Sequence, residues 1–225
     1  MADFKLIQVK EGILAENDRQ AEVIRARLKD KKTLLVNLMA SPGSGKTSLI
    51  LNTLKAFDPC CRVGVIEADI DSSLDAEKVA AAGVRTTQLQ TGGLCHLDAS
   101  MVDQGLEALG EDDLDLIILE NIGNLVCPAD FDTGAHLNVM ILSVPEGDDK
   151  PLKYPLMFGT CQALVVNKID YLQLSDFDLD LLRERVFKLN PDMHVFPASC
   201  RTGEGIEAWV AWLRQRVQGL EGAAS

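Results

Sequence analysis

The chain has 225 residues, of which 47% are hydrophobic and 25% are charged, as is typical of a globular protein with a sizeable core. Its 22 Lys and Arg residues against 34 Asp and Glu residues give a net charge of −12, which argues against nucleic acid as a partner. The N-terminal residues lack the apolar segment of a signal peptide, and no run reaches the roughly 18 apolar residues of a membrane span. We therefore expect a cytoplasmic protein with no membrane partner.

An amphipathic stretch over residues 14–31 predicts a lead-in helix in which Ala21, Ile24 and Leu28 share one face. Short β-type runs then alternate with helical stretches, which predicts an α/β fold with a mostly parallel sheet of about seven strands and helices on both faces. We divide the chain into a lead-in helix (1–33), one α/β domain (34–218) and a flexible tail (219–225). The predicted strands are 34–39, 63–69, 86–90, 114–120, 137–144, 164–167 and 194–199, and the predicted helices after the first are 46–56, 73–82, 97–109, 177–189 and 204–218.

A glycine-rich loop, residues 40–47, follows the first predicted strand and opens a helix, which is the context that a phosphate-binding loop (P-loop) requires. Glycines let backbone N–H groups turn toward a phosphate, and the helix N-terminus adds its positive end. Lys46 would bridge the β- and γ-phosphates, and Thr47 would bind Mg²⁺. The predicted nucleotide-binding residues of this loop are Gly43, Ser44, Gly45, Lys46, Thr47 and Ser48.

A second motif, Asn167-Lys168-Ile169-Asp170, ends a predicted buried strand and matches the guanine-reading pattern N-K-x-D. Asp170 can accept hydrogen bonds from guanine N1 and N2, and adenine offers no such pair of donors, so the contact discriminates between the bases. After the next strand comes a loop at the position where GTPases place a second base-contacting segment. We therefore predict GTP or GDP as the nucleotide, with a base site formed by Asn167, Lys168, Asp170, Ser199 and Cys200.

The strand ending at Glu120 and the following Gly123 are similar to a strand plus D-x-x-G, with Glu in place of Asp. Glu120 would hold Mg²⁺ directly or through water, and the N–H of Gly123 would reach the γ-phosphate. Because that N–H loses its partner on hydrolysis, the segment after it is predicted to switch. No Gln follows Gly123 and no Arg stands obviously at the phosphates, which predicts slow intrinsic turnover.

Three acidic residues, Asp69, Asp71 and Asp75, follow the second predicted strand. We expect one of them, foremost Asp69, to complete the Mg²⁺ shell and another to orient water. Our prediction for the catalytic residues is Lys46, Asp75 and Glu120, and for the Mg²⁺ ligands Thr47, Asp69 and Glu120.

Thiol and imidazole groups at Cys95, His96 and Cys127 form a possible N/S metal site with a fourth position left open. Gly92 and Gly93 supply the flexible approach that lets two neighbouring side chains face one ion. From spacing alone, ordinary buried thiols explain these residues equally well. The remaining cysteines, interpreted as structural, are Cys60, Cys61, Cys161 and Cys200.

Four segments, 41–47, 93–99, 120–128 and 146–155, closely resemble the hydrogenase nickel-incorporation GTPases, the HypB family. The resemblance implies a dimerising P-loop GTPase of the SIMIBI type, related to signal-recognition and MinD-type proteins. It also implies delivery of nickel during maturation of [NiFe]-hydrogenase, with a metal site of Cys95, His96 and Cys127 at a dimer interface. The implied partners are a second copy, in a nucleotide- and metal-dependent homodimer, a HypA-type nickel metallochaperone and the hydrogenase large-subunit precursor. Ni²⁺ and Zn²⁺ have similar affinities for such ligands, so either is predicted.

Other functions remain open from the sequence. One is a urease-type or cobalamin-type accessory GTPase; the urease helper shares the Cys-Pro pair but has His where this chain has Ala129. Another is a metal-binding scaffold whose nucleotide is structural. A small-molecule P-loop kinase is disfavoured by the guanine-reading motif.

Overall fold

The computed structural model describes residues 9–70 and 73–222, with the side chains of residues 14–70 and 73–220. Its strands are β1 (Leu34–Ala40), β2 (Val63–Asp69), β3 (Arg85–Gln90), β4 (Leu116–Glu120), β5 (Leu137–Ser143), β6 (Ala163–Asn167) and β7 (His194–Pro197). They form one sheet in the order β3-β2-β4-β1-β5-β6-β7, and every neighbouring pair is parallel. The prediction of an α/β fold with about seven strands is confirmed, and the sheet is wholly rather than mostly parallel.

Nine α-helices accompany the sheet in the part of the chain that the structure describes. They are α1 (Val9–Asp30), α2 (Lys46–Ala56), α3 (Leu74–Ala80), α4 (Ala99–Leu109), α5 (Cys127–Asp130), α6 (Lys150–Lys153), α7 (Pro155–Thr160), α8 (Leu179–Leu189) and α9 (Ile206–Gly222). All six predicted helices are present. The sequence analysis missed α5, α6 and α7, because helices of four to six residues are too short to show a 3.6-residue period.

Strand β1 is buried along its whole length because helices cover both faces of the sheet. Residues 34, 36 and 38 pack with α2 and α9, where Trp209 donates from Nε1 to Thr53 Oγ1 at 2.9 Å. On the opposite face, Leu35 packs with α1 and α4, and Met39 packs with α7 and α8. The core therefore holds β1 rigidly at the centre of the sheet, where its carboxyl end carries the glycine-rich loop.

Helix α1 is packed into the domain rather than detached from it. Ala21, Ile24 and Leu28, the three residues predicted to share one face, are fully buried against α4 and the sheet. On the polar side of the helix, Arg27 pairs with Asp103 at 2.6 Å. The lead-in helix therefore contributes to the same core as the sheet.

Helix α9 runs to Gly222, four residues into the predicted tail (219–225), since its apolar face continues to pack as far as Leu220. Residues 1–8, 71–72 and 223–225 lie outside the described residues, so the predicted role of Asp71 and the flexibility of the tail stay predictions. None of the described helices is both long and apolar enough to cross a membrane.

Candidate nucleotide and metal sites

The carboxyl ends of β1, β4 and β6 lie at one edge of the sheet, where open parallel sheets bind their ligands. Strand β1 leads into the glycine-rich loop, β4 ends at Glu120 and β6 ends at Asn167. Because the strands are neighbours in the order β4-β1-β5-β6, three motifs that are distant in sequence meet at this edge.

The glycine-rich loop has the backbone shape of a phosphate cradle. Gly43 and Gly45 adopt φ values of 76° and 104°, in the left-handed region that favours glycine. Ser44 Oγ donates to the carbonyl oxygen of Ser41 at 2.9 Å, which closes the loop. Helix α2 begins at Lys46, so the N–H groups of its first turn point into the loop, as anion binding requires.

Lys46, Thr47 and Glu120 converge beside this loop. Glu120 Oε1 lies 3.9 Å from Lys46 Nζ and 3.3 Å from Thr47 Oγ1. Glu120 Oε2 is buried and has no hydrogen-bond partner in the described structure. A hydroxyl and a carboxylate with an oxygen to spare are the hard donors that Mg²⁺ prefers, so this group fits the ion.

Glu67, which the sequence analysis did not single out, stands directly opposite Glu120 in the β2–β4 register. Burial, followed by the charge of Glu120 and a hydrogen bond to it, raises the pKa of Glu67 to about 10. Burial also raises the pKa of Glu120, while the hydrogen bond from Glu67 and the charge of Lys46 oppose that rise. Two adjacent buried carboxyl groups thus share a proton, and a divalent cation would relieve their repulsion.

The predicted acidic residues after β2 have different surroundings. Asp75, on α3, lines the same cavity as Lys46, Thr47 and Glu120, and pairs with Lys78 at 2.8 Å. Asp69 ends β2 and is not among the residues that line this cavity. Its role as a ligand stays a prediction.

Gly123 lies against the glycine-rich loop so closely that a side chain would not fit. A Cβ at this position would stand 2.9 Å from Pro42 Cγ and 3.1 Å from the backbone N of Pro42. The segment after Glu120 therefore contacts the phosphate loop directly, as the predicted phosphate sensor requires.

All five residues predicted for the base site lie together. They border an open cleft of about 470 Å³ or stand directly behind it. Asn167 Nδ2 donates to the Ser44 carbonyl oxygen at 2.8 Å, and Asn167 Oδ1 accepts from the N–H of Cys200 at 3.1 Å. Lys168 Nζ donates to the Gly43 carbonyl oxygen at 2.7 Å, so the base site is tied to the phosphate loop.

Two contacts hold the carboxylate of Asp170 in place. Ser199 Oγ donates to its Oδ1 at 2.5 Å, and Arg201 Nε lies 2.9 Å from its Oδ2. The hydrogen bond from Ser199 lowers the pKa of Asp170, with a smaller contribution from the charge of Arg201. Asp170 is therefore an ionised acceptor, which is the form that pairs with guanine N1 and N2.

Cys95, His96 and Cys127 form a cluster whose ligand atoms all lie within 4.8 Å of one another. Cys95 Sγ is 3.0 Å from Cys127 Sγ and 3.8 Å from His96 Nδ1. The hydrogen bond with Cys127 raises the pKa of Cys95, so this thiol holds a proton that a metal ion would displace. Two thiols and an imidazole are suitable ligands for Ni²⁺ or Zn²⁺.

Asn124 connects this cluster to the segment that follows Glu120. Its Nδ2 donates to the carbonyl oxygen of Cys95 at 3.2 Å, and its Oδ1 accepts from the N–H of Val126 at 2.9 Å. Gly123 on one side contacts the phosphate loop, and Cys127 on the other is a candidate ligand. The sequence analysis missed the contact of Asn124, although its position between two predicted site residues was a signal.

Two other residues missed by the sequence analysis left weaker signals. Glu67 is a charged residue inside an otherwise apolar strand, and such a residue usually needs a partner. Arg201 belongs to the predicted base-contacting loop but only the fold shows that it reaches Asp170.

Of the cysteines interpreted as structural, Cys161 is fully buried and burial raises its pKa to about 12, whereas Cys60 is exposed.

Comparison with known proteins identifies the family. A model of the CobW/HypB/UreG nucleotide-binding domain matches residues 34–197. The hydrogenase maturation factor HypB of Azotobacter chroococcum is 43% identical over 217 residues, which cover 96% of this chain and 71% of that protein. The hydrogenase/urease maturation factor HypB of Helicobacter hepaticus is 41% identical over 208 residues, covering 90% of this chain and 84% of that protein.

Solved structures agree. The crystal structure of HypB from Helicobacter pylori in complex with nickel has a TM-score of 0.86 and 34% identity, covering 91% of this chain and 96% of that one. The signal recognition particle receptor FtsY of Elizabethkingia anophelis in complex with GDP has a TM-score of 0.54 and 14% identity, covering 88% and 72%, and shows the shared SIMIBI fold alone. The resemblance drawn from the sequence motifs is thus confirmed: the chain belongs to the HypB family and carries its nucleotide-binding domain.

Proposed function

We propose that this protein is a GTP-hydrolysing metallochaperone that binds Ni²⁺, or Zn²⁺, and assists nickel insertion into [NiFe]-hydrogenase. The observation that carries the proposal is the cluster of Cys95, His96 and Cys127, joined by a short segment to Glu120 at the nucleotide site. The similar HypB from Helicobacter pylori, whose crystal structure was solved in complex with nickel, supports the same assignment.

In the nucleotide half of this proposal, Asp170 selects guanine and the glycine-rich loop binds the phosphates. Lys46 neutralises charge at the β- and γ-phosphates, while Thr47 and Glu120 hold Mg²⁺, which supplies further positive charge there. Asp75, in the same cavity, orients the attacking water. Phosphoryl transfer depends on positioning and charge. The described residues that line this cavity include Lys46 and Lys78 but no arginine, which supports slow turnover.

The metal half is linked to the nucleotide half through residues 120–127. GTP favours one position of Gly123 against Pro42, and hydrolysis releases it. Asn124 transmits that change to Cys95 through their hydrogen bond, and Cys127 follows in the chain. Such linkage is reciprocal, so bound metal must change the affinity for nucleotide by the same factor.

The partners in this proposal are a second copy of the chain and two other proteins. Three ligands leave one position open, which a second copy or a HypA-type nickel metallochaperone would fill. The client is the precursor of the hydrogenase large subunit, in the cytoplasm. Because the relative from Helicobacter hepaticus is named a hydrogenase/urease maturation factor, a urease precursor is the second candidate client.

The test is a titration of the full chain and of a Cys95→Ala variant with Ni²⁺ and with Zn²⁺, in the presence of GDP or a non-hydrolysable GTP analogue. Thiolate-to-nickel absorbance and oligomeric state are followed together. We expect the wild type to bind metal with an affinity that differs between the two nucleotides, and the variant to bind at least about tenfold more weakly because one of three ligands is lost. Equal binding by the two proteins would exclude this cluster as the metal site.

Single-turnover hydrolysis of GTP and of ATP tests the nucleotide half independently. The proposal expects slow hydrolysis of GTP and none of ATP. A protein that binds GTP without turning it over would instead be a scaffold with a structural nucleotide.

A further inference from the structure

Asn17, on helix α1, is a buried residue that contacts both chain segments carrying the candidate metal ligands. Its Nδ2 donates to the carbonyl oxygen of Asp132 at 2.9 Å, and its Oδ1 accepts from the N–H of Ala99 at 2.8 Å. The residue is only 8% exposed. Since breaking either bond would leave a buried polar group unpaired, the amide is held in one orientation.

The bond to Ala99 anchors the segment of Cys95 and His96. Ala99 is the first residue of α4, and its N–H is one of those that find no acceptor within their own helix. The N-cap residue Asp98 accepts from Met101 instead, so Asn17 provides the partner that Ala99 needs. The start of α4, and with it the preceding ligand pair, is thereby fixed relative to α1.

The bond to Asp132 anchors the segment of Cys127. Phe131 lies between Cys127 and Asp132 in the chain, and its ring stacks on the imidazole of His96 with the centroids 3.9 Å apart and the planes inclined by 20°. Arg25, also on α1, binds both carboxylate oxygens of Asp132 at 2.8 and 2.7 Å. The same helix therefore holds the far end of the second ligand segment and the ring that supports the imidazole.

We propose that Asn17 is a positioning residue for the metal site, which sets the separation between the segment of Cys95 and His96 and the segment of Cys127. The inference rests on the proposed metal binding but assigns a separate role to a residue that is not a ligand. A metal ion needs its ligand atoms at fixed separations, and residues that orient the ligands typically change metal affinity by about 10- to 100-fold.

The test uses Asn17→Ala in the full chain. Ni²⁺ affinity is measured by competition with a chromogenic chelator, and the thiolate-to-nickel absorbance band reports the geometry of the bound ion. We expect an affinity about tenfold or more below that of the wild type and a shifted band. Affinity for GDP, whose site the variant does not touch, should stay unchanged.

Arg27→Ala is the matched control, because Arg27 also ties α1 to α4, through Asp103, and to Glu111 beyond its end, but it contacts neither ligand segment. It should lower the melting temperature but leave Ni²⁺ affinity and the absorbance band unchanged. If Asn17→Ala does not fold, Arg25→Ala takes its place. It removes the bonds of Arg25 to Asp132, to the Ala135 carbonyl oxygen and to Glu22 but leaves Asn17 bonded to Ala99, so it should weaken Ni²⁺ binding by a smaller factor.

The outcomes separate this inference from the proposed function. Wild-type Ni²⁺ affinity in Asn17→Ala (or in its substitute Arg25→Ala), or an equal loss in Arg27→Ala, overturns the positioning role while metal binding stands. Failure of the wild type to bind, or equal binding by Cys95→Ala, refutes the metal site itself.

Discussion

Two glycines of the phosphate loop both have a positive φ but differ in their surroundings, which gives a quantitative prediction. Gly43 and Gly45 both have positive φ, at 76° and 104°. A Cβ on Gly43 would meet nothing within 4 Å, whereas a Cβ on Gly45 would collide with the side-chain amide of Asn167. Gly43→Ala should therefore report backbone strain alone, and Gly45→Ala should report strain together with displacement of Asn167.

The difference between the two variants follows from the contacts of Asn167. Strain in the left-handed region costs about 1–2 kcal/mol for a residue with a Cβ, and this contribution is common to both variants. Displacing Asn167 also disrupts its bonds to the Ser44 carbonyl at 2.8 Å and to the Cys200 N–H at 3.1 Å. At about 0.5–1.5 kcal/mol for each bond, Gly45→Ala should be less stable than Gly43→Ala by about 1–3 kcal/mol.

Urea unfolding of the nucleotide-free protein, followed by circular dichroism in phosphate-free buffer, measures this difference in the free energy of unfolding. Thermal melting should agree, with a shift of about 2–4 °C for each kcal/mol in a chain of this size. Nucleotide is left out so that an alanine methyl cannot interfere with a bound phosphate. Equal destabilisation by the two substitutions would refute the reasoning, since the contact with Asn167 would then carry no energy.

Asp170→Asn should lower GDP affinity at least about 100-fold and improve the binding of xanthosine diphosphate, because an amide N–H suits the extra carbonyl of xanthine. Competition binding of the two nucleotides measures this change, and an unchanged GDP affinity would contradict the prediction. Burial lowers the pKa of His136 in the folded state below its ordinary 6.5, and its Nδ1 accepts a hydrogen bond from the Leu35 N–H at 3.1 Å. The unfolded chain therefore binds a proton at His136 more readily, so the contribution of this residue to stability should be complete above pH 6.5 and be lost as the pH falls through the pKa of the folded state. Urea midpoints between pH 7.5 and 5 should show this slope, and His136→Asn should flatten it; parallel curves would exclude the residue. Iodoacetamide at pH 8 should label exposed Cys60 but not buried Cys161, whose pKa is raised to about 12, and equal labelling by mass spectrometry would show that the core opens there.

Most of the fold could be predicted from local sequence because the deciding signals are local. The apolar run at residues 116–119 has no polar alternation, which only a strand buried on both faces tolerates, and β4 is buried throughout. Gly43, Lys46 and Thr47 follow a strand and open a helix, so one stretch of chain contains the whole phosphate loop. The short helices α5, α6 and α7 could not be predicted, because a helix of fewer than two turns gives no periodic pattern.

The candidate sites could be predicted only in part, because several of their contacts depend on the register between distant strands. Glu67 opposes Glu120 through the pairing of β2 with β4, and a shift of one residue would turn it to the other face. Cys95 and Cys127 meet although 32 positions separate them, and no local rule brings two such loops together. The family resemblance, rather than spacing, therefore carried the prediction of the metal cluster.

The contacts around the candidate metal cluster indicate where a change at the nucleotide would act. Gly123 contacts the phosphate loop on one side of the cluster, and only three residues separate it from Cys127. On the other side, Asn17 ties the ends of both ligand segments to helix α1, which is packed into the core. The bonds of Asn17 therefore resist a displacement that begins at Gly123. The segment between Gly123 and the residues bonded to Asn17 must absorb the movement, and Cys95 and Cys127 lie there. In the proposed cycle, nucleotide hydrolysis would thus alter the separation of the ligands rather than move the whole cluster as one body, which is the kind of change that releases a bound ion.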